Sequence, residues 1–256
     1  MRRMLLGSGR DVEGRVHRRR GHRGEGPPAR RTRTGHSPEP SDSTDTLRLK
    51  GRGRQGPPHG MHFAGEAGSV IAFGDESGSV AALDPGAYIL AGVLLAPSKV
   101  GLVREAIAAL RRPTEKKIHW RDDADKRHIE VIQSIATLPI HGLIVARVGP
   151  VGDKSERRRR KCLEAFLGEL QARGCRDLTL ESRGSHLDGN DMDLVTALRA
   201  KRWLSSDLRV AHRVGPSEPL LWIADAVAGA YVAHRTGEPM YFEQIEGLTT
   251  GVQVQA

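Results

Sequence analysis

Two periods of apolar residues run through residues 69–237. In "SVIAFGDESGSV" (69–80) an aliphatic run, Val70 to Phe73, precedes two adjacent acids. A second run, "YILAGVLLA" (88–96), has the same strand character, and Asp84-Pro85-Gly86 between them predicts a turn and hence a hairpin. The period then changes. "SKVGLVREAIAALRR" (98–112) sets Val100, Val103, Ile107 and Leu110 at helical spacing before Pro113. "DKRHIEVIQSIATL" (125–138) repeats it with Ile129, Ile132, Ile135 and Ala136, ending at Pro139.

"IHGLIVARV" (140–148) has a buried-strand pattern. "SERRRRKCLEAFLGELQARG" (155–174) predicts a helix with Leu163, Phe166, Leu167 and Leu170 on its core face and Gly174 as its cap. "DLTLESR" (177–183) predicts a short strand, "DMDLVTALRA" (191–200) a helix and "LRVAHRV" (208–214) a weak strand. "SEPLLWIADAVAGAYVAHRTG" (217–237) predicts a helix with Ser217 as N-cap, Pro219 in its first turn and Gly237 at its end. No clear signal follows Pro239. A hairpin followed by alternating helices and strands predicts an α/β fold with a mixed sheet.

Charge changes the picture at one end only. Residues 1–60 hold 15 Lys and Arg against 6 Asp and Glu, so the whole chain's +9 lies there and residues 61–256 are balanced. That segment is rich in Arg, Gly, Pro, Ser and His and lacks Phe, Trp and Tyr. It cannot bury enough apolar surface to offset its ordering entropy, which predicts a disordered basic tail. Such a tail either binds nucleic acid by counterion release or is simply solvated. Met61 directly precedes the first periodic segment, so translation from Met61 is a third expectation, with the folded domain spanning 61–256.

"MRRMLLGSG" is too short for a secretory signal, and no run of about 18 apolar residues predicts a membrane span. Two cysteines, Cys162 and Cys175, suggest a reducing cytoplasmic setting rather than a disulfide framework.

Three places put an acid where burial is expected. Strand alternation sets Asp75 on the face of Ile71 and Phe73 and turns Glu76 away, unless both acids merely begin the loop toward Gly78. Glu181 ends a predicted strand, a common position for ligand-facing residues and equally for a solvated acid paired with Arg183. Asp225 lies in "LLWIADAVAGAYV", a helix apolar nearly all round, beside Ala224, Ala228 and Gly229, which allow close approach of a neighbouring element. A buried ionised Asp needs a cation, a hydrogen-bond network or a raised pKa. Three convergent carboxylates resist ionising together, and a hard cation such as Mg²⁺ or Mn²⁺ resolves the repulsion. Two such ions about 4 Å apart can support phosphodiester cleavage.

"FGDESG", "KIHWRD", "LESRG" and "LLWIADAVAGAY", in this order over residues 69–235, resemble the bacterial family called domain of unknown function 3800. The resemblance implies a ribonuclease H-like mixed sheet flanked by helices. It also implies a metal-dependent nuclease acting on RNA or DNA, with Asp75, Glu181 and Asp225 as catalytic metal ligands. A fourth acid usually completes such a site, and Glu76, Glu115 and Asp122 are the candidates. His119 matches the middle motif, either as a proton shuttle or phosphate contact, or as a residue that fixes its loop beside Trp120.

The run "RRRRK" (157–161) opens a helix, where positive charge opposes the dipole. Arg157 and Arg160 there, with Lys117 and Arg121 near His119, are candidate phosphate contacts or a solvated face. A non-catalytic nucleic-acid or protein-binding module that has lost a ligand is the competing expectation. A two-carboxylate glycosidase is disfavoured by the 4% aromatic content.

Overall fold

The computed structural model describes residues 69–78 and 82–254. The expectations of a disordered basic tail and of a start at Met61 lie outside the described residues. Six strands form one mixed sheet: β1 (Val70–Gly78), β2 (Ala87–Leu95), β3 (His141–Val148), β4 (Cys175–Glu181), β5 (Arg209–Arg213) and β6 (Thr249–Val254). Their order is β5-β4-β1-β2-β3-β6. The pairs β1–β2 and β2–β3 are antiparallel, while β4, β5 and β6 join in parallel, so β2 alone runs against the other strands.

Both faces of the sheet are covered by helices, as the α/β pattern predicts. On one face α1 (Val100–Ala109), α2 (Asp125–Ala136) and α5 (Pro219–Arg235) pack on Phe73, Ile89, Ala91, Val93, Ile144 and Ala146. On the other, α3 (Ser155–Ala172) and α4 (Ser185–Ala200) pack on Val70, Ala72, Leu90, Leu143, Leu178 and Leu180. The central strand β2 is buried along its whole length, which explains why its sequence is apolar without alternation. Close approach of α3 depends on Gly92, where a Cβ would run into the Phe166 ring.

Local boundaries differ from the sequence pattern in four places. β1 continues to Gly78, beyond the aliphatic run, because Asp75 and Glu76 pair with Ala91 and Leu90 of β2. α4 starts at Ser185, earlier than predicted, after Gly184 turns the chain at φ +96°. β6 is formed by a polar, glycine-containing segment that only its pairing with β3 makes a strand. Glu218, not Ser217, caps α5: its carboxylate accepts from the Leu220 N–H at 3.3 Å while Arg104 holds it at 3.0 and 2.9 Å. Gly174 and Gly237 end α3 and α5 in the left-handed region, as predicted.

Candidate metal centre

Asp75 leaves the sheet on the α5 side. Ala72 and Phe73 belong to opposite faces of the core, so alternation turns Asp75 the same way as Phe73. Gly74 pairs with Leu180 in the parallel β1–β4 ladder, so the next residues, Asp75 and Glu181, are lateral neighbours. α5 lies across β1 and brings Asp225 to the same place. Burial first, and then the charges of Glu181 and Asp225, together push the Asp75 carboxyl up to about 9. Asp75 remains partly open to solvent. Its Oδ1 accepts from the Glu76 N–H at 2.8 Å.

Asp225 is also raised, first by burial. Its Oδ2 accepts from the Trp120 N–H at 2.8 Å, and nearby His119 and Lys117 favour its charge. All three contributions come from the segment "KKIHWRD" between α1 and α2. That segment can reach Asp225 because of Gly229, one turn further along α5, where a Cβ would overlap the Trp120 indole. The indole stacks on His128 at 3.9 Å, and His128 Nε2 is 2.8 Å from the Trp120 carbonyl. Gly229 thus serves the close approach that its small size predicts.

Glu181 is held from two sides. Lys117 Nζ donates to Oε1 at 2.6 Å, while Oε2 is buried with no hydrogen-bond partner. Gly215 lies against this carboxylate, and a Cβ there would fall on both of its oxygens. Trp222 Nε1 fixes Gly215 by donating to its carbonyl at 2.7 Å.

The structure therefore sets Asp75, Glu181 and Asp225 within electrostatic reach of one another, with Lys117 and His119 near Asp225. It does not bring the other acids. Glu76 points to the opposite face of the sheet, against Arg159 and Arg183. Glu115 pairs with Arg112 and Arg127. Asp122 is 78% exposed and holds His119 Nδ1 at 2.9 Å. Arg121, Arg157 and Arg160 are exposed; Arg157 lies 3.8 Å from Asp153.

The donor set suits a hard divalent ion: it is all carboxylate, and one Glu181 oxygen is buried without a partner. Among the described residues no group of three His, Cys, Asp or Glu side chains is already drawn together closely enough to hold an ion.

Behind the sheet lies a second charged cluster that the sequence reading missed. Arg159, only 1% exposed, donates to Asp191 at 2.8 and 2.6 Å and contacts Glu76. Asp191 also meets His212 at 3.0 Å and Arg183 at 3.3 Å. These hydrogen bonds and cations hold the Asp191 carboxyl below its usual range despite burial. A signal was present: Arg159 precedes Leu163 and Phe166 by four and seven residues, and Asp191 precedes Leu194, Val195 and Leu198 by helical spacings. Both therefore lie on the core faces of their helices.

No family model matches the chain, and no curated protein matches it either. Solved structures do resemble it. Ribonuclease HII of Archaeoglobus fulgidus, solved in a complex with PCNA, is 15% identical, with 68% of this chain and 77% of that one covered at a TM-score of 0.44. Ribonuclease H2 of Pyrococcus horikoshii OT3 is 12% identical over 70% of this chain and 77% of its own, at 0.46. Bst ribonuclease HIII in complex with Mn²⁺ is 11% identical over 70% and 54%, at 0.33. The chain itself shows a six-stranded mixed sheet flanked by helices on both faces.

Proposed function

We propose that the chain is a metal-dependent phosphodiesterase of nuclease type, of the kind the domain of unknown function 3800 resemblance implies. The observation that carries this reading is that Asp75 stands beside Glu181 at the end of the β1–β4 ladder, with the charges of Glu181 and Asp225 both raising the Asp75 carboxyl. Such a set of acids suits a divalent cation, and these three residues would hold Mg²⁺ or Mn²⁺. When bound, the ion supplies Lewis-acid polarisation of a phosphate and acidifies water. Metal binding requires the carboxylates to give up protons, so it is favoured as pH rises.

The remaining groups have roles that follow from their positions. Trp120 N–H fixes one oxygen of Asp225 and so sets the direction of the other. Asp122 orients His119 through Nδ1, which leaves Nε2 to hold or move a proton. Lys117 compensates Glu181 and stands ready to meet a phosphate once that carboxylate turns to an ion. Gly215 admits the Glu181 carboxylate, which a Cβ there would displace.

The test is cleavage of labelled RNA, DNA and RNA–DNA hybrid with Mg²⁺ or Mn²⁺. Metal-dependent products supported by the wild type and lost in Asp225→Asn are expected; no product from any substrate would refute the enzymatic reading. One observation favours the competing binding module: Glu181 already has a cationic partner in Lys117. Mn²⁺ calorimetry separates the two, because heat without binding-site saturation up to millimolar metal favours the module.

A further inference from the structure

The ladder that sets Asp75 beside Glu181 continues one strand further. Glu181 pairs with Arg213 of β5, and Leu180 pairs with His212. Leu180 and His212 face the α3–α4 side, where His212 meets Asp191. Alternation therefore turns Arg213 to the side of Glu181 and Asp75. β5 is the edge of the sheet, and Arg209, Ala211 and Arg213 on this face are exposed, unlike the residues of β1 and β2 that α5 covers.

Arg209, two residues before, is held by Asp177 at 2.7 and 2.9 Å. Among the described residues the Arg213 guanidinium has no such partner. Its backbone is fixed all the same, since the Arg213 carbonyl accepts from the Ser182 N–H at 2.8 Å. One exposed guanidinium without a side-chain partner thus stands next to Glu181, on the edge strand.

Resting on the phosphodiesterase reading, we infer that Arg213 is a positioning residue that holds a backbone phosphate of the nucleic acid next to the scissile one. The polynucleotide then crosses the uncovered edge of the sheet, over β5, before reaching Asp75, Glu181 and Asp225. The planar fork of a guanidinium suits a phosphate, and such a contact weakens binding uniformly when removed, whatever the base sequence.

The test is fluorescence anisotropy with a labelled 20-nucleotide RNA–DNA hybrid and its two single strands, from 50 to 200 mM NaCl without divalent metal. Arg213→Gln is expected to weaken binding about tenfold at the lowest salt and to lower the salt slope by about one. Arg213→Lys is expected to recover the slope. Mn²⁺ binding by calorimetry should be unchanged in both variants, which a general disturbance of Asp75, Glu181 and Asp225 would not allow. Equal affinity and slope for wild type and Arg213→Gln would overturn the inference, and so would a wild type that binds none of the three probes. A wild type that binds but never cleaves, with Arg213→Gln still weaker, would leave the phosphate contact standing and refute the phosphodiesterase reading alone.

Discussion

The Trp120 backbone N–H donates to Asp225 Oδ2 at 2.8 Å, joining two segments more than a hundred residues apart in sequence. The contact explains how a carboxylate on an apolar helix is tolerated, since one of its oxygens has a fixed donor. It also aims the other oxygen. Substituting Asp225 by Asn keeps the shape and removes the charge, so metal-dependent cleavage should fall by more than about 100-fold. The circular dichroism spectrum should stay that of the wild type. Undiminished cleavage would remove Asp225 from the site.

Gly229 makes that contact possible by admitting the indole of Trp120. Gly229→Ala forces the ring, and with it the "KIHWRD" segment, away from α5. A loss of about 1–3 kcal/mol in stability is expected, as for other overpacked sites. Initial cleavage rates should fall as well, because the displaced segment carries Lys117 and the Trp120 N–H. Denaturant unfolding and initial rates measure the two effects, and an indifferent Gly229→Ala variant would mean that the loop docks by other contacts.

Lys117 and Glu181 are 21% and 17% exposed in their ion pair. The ammonium competes with any cation that approaches Glu181 and repels it as well. Lys117→Met is therefore expected to raise Mn²⁺ affinity roughly fivefold while reducing affinity for nucleic acid. Calorimetry reads the first change directly. A lower Mn²⁺ affinity would show that Lys117 supports the carboxylate geometry instead.

The pH dependence of the metal-free protein follows from opposed carboxyls. Asp75 keeps its proton up to about 9 in the folded state, against an ordinary value of 3.8, so folding binds a proton throughout that interval. Its contribution to stability is full below pH 4 and declines as pH rises toward 9, at up to about 1.4 kcal/mol per pH unit. Asp191 is depressed instead, so its contribution is present above pH 4 and is lost on acidification. The thermal midpoint of Asp75→Asn should exceed that of wild type by a margin that grows from pH 5 to pH 9. A margin independent of pH would show that Asp75 ionises normally.

Arg159 is the pivot of the charges behind the sheet. Replacing it by Met leaves Asp191 and Glu76 without their principal cation in a buried setting. A cost of about 3–5 kcal/mol is expected at pH 7, measured by urea unfolding. The cost should shrink near pH 3, where acids protonate. An effect below 1 kcal/mol would mean that Arg183 and His212 compensate.

Much of this protein was determined by the sequence itself. Periodicity alone defined the hairpin, the helices at 125–138 and 155–174, and the long apolar helix carrying Asp225, because burial of a helix face or a strand face demands a fixed spacing of apolar residues. Alternation separated Asp75 from Glu76, since adjacent strand residues point to opposite faces whatever lies around them. The tertiary structure decided what spacing cannot encode. β6 became a strand only by pairing with β3, and Glu218 capped α5 with Arg104 holding it. Lys117, Trp120 and Gly229 met at Asp225 only because a loop folded back over α5. Arg213 came to stand beside Glu181 through the β4–β5 register, a relation between strands that no local pattern carries.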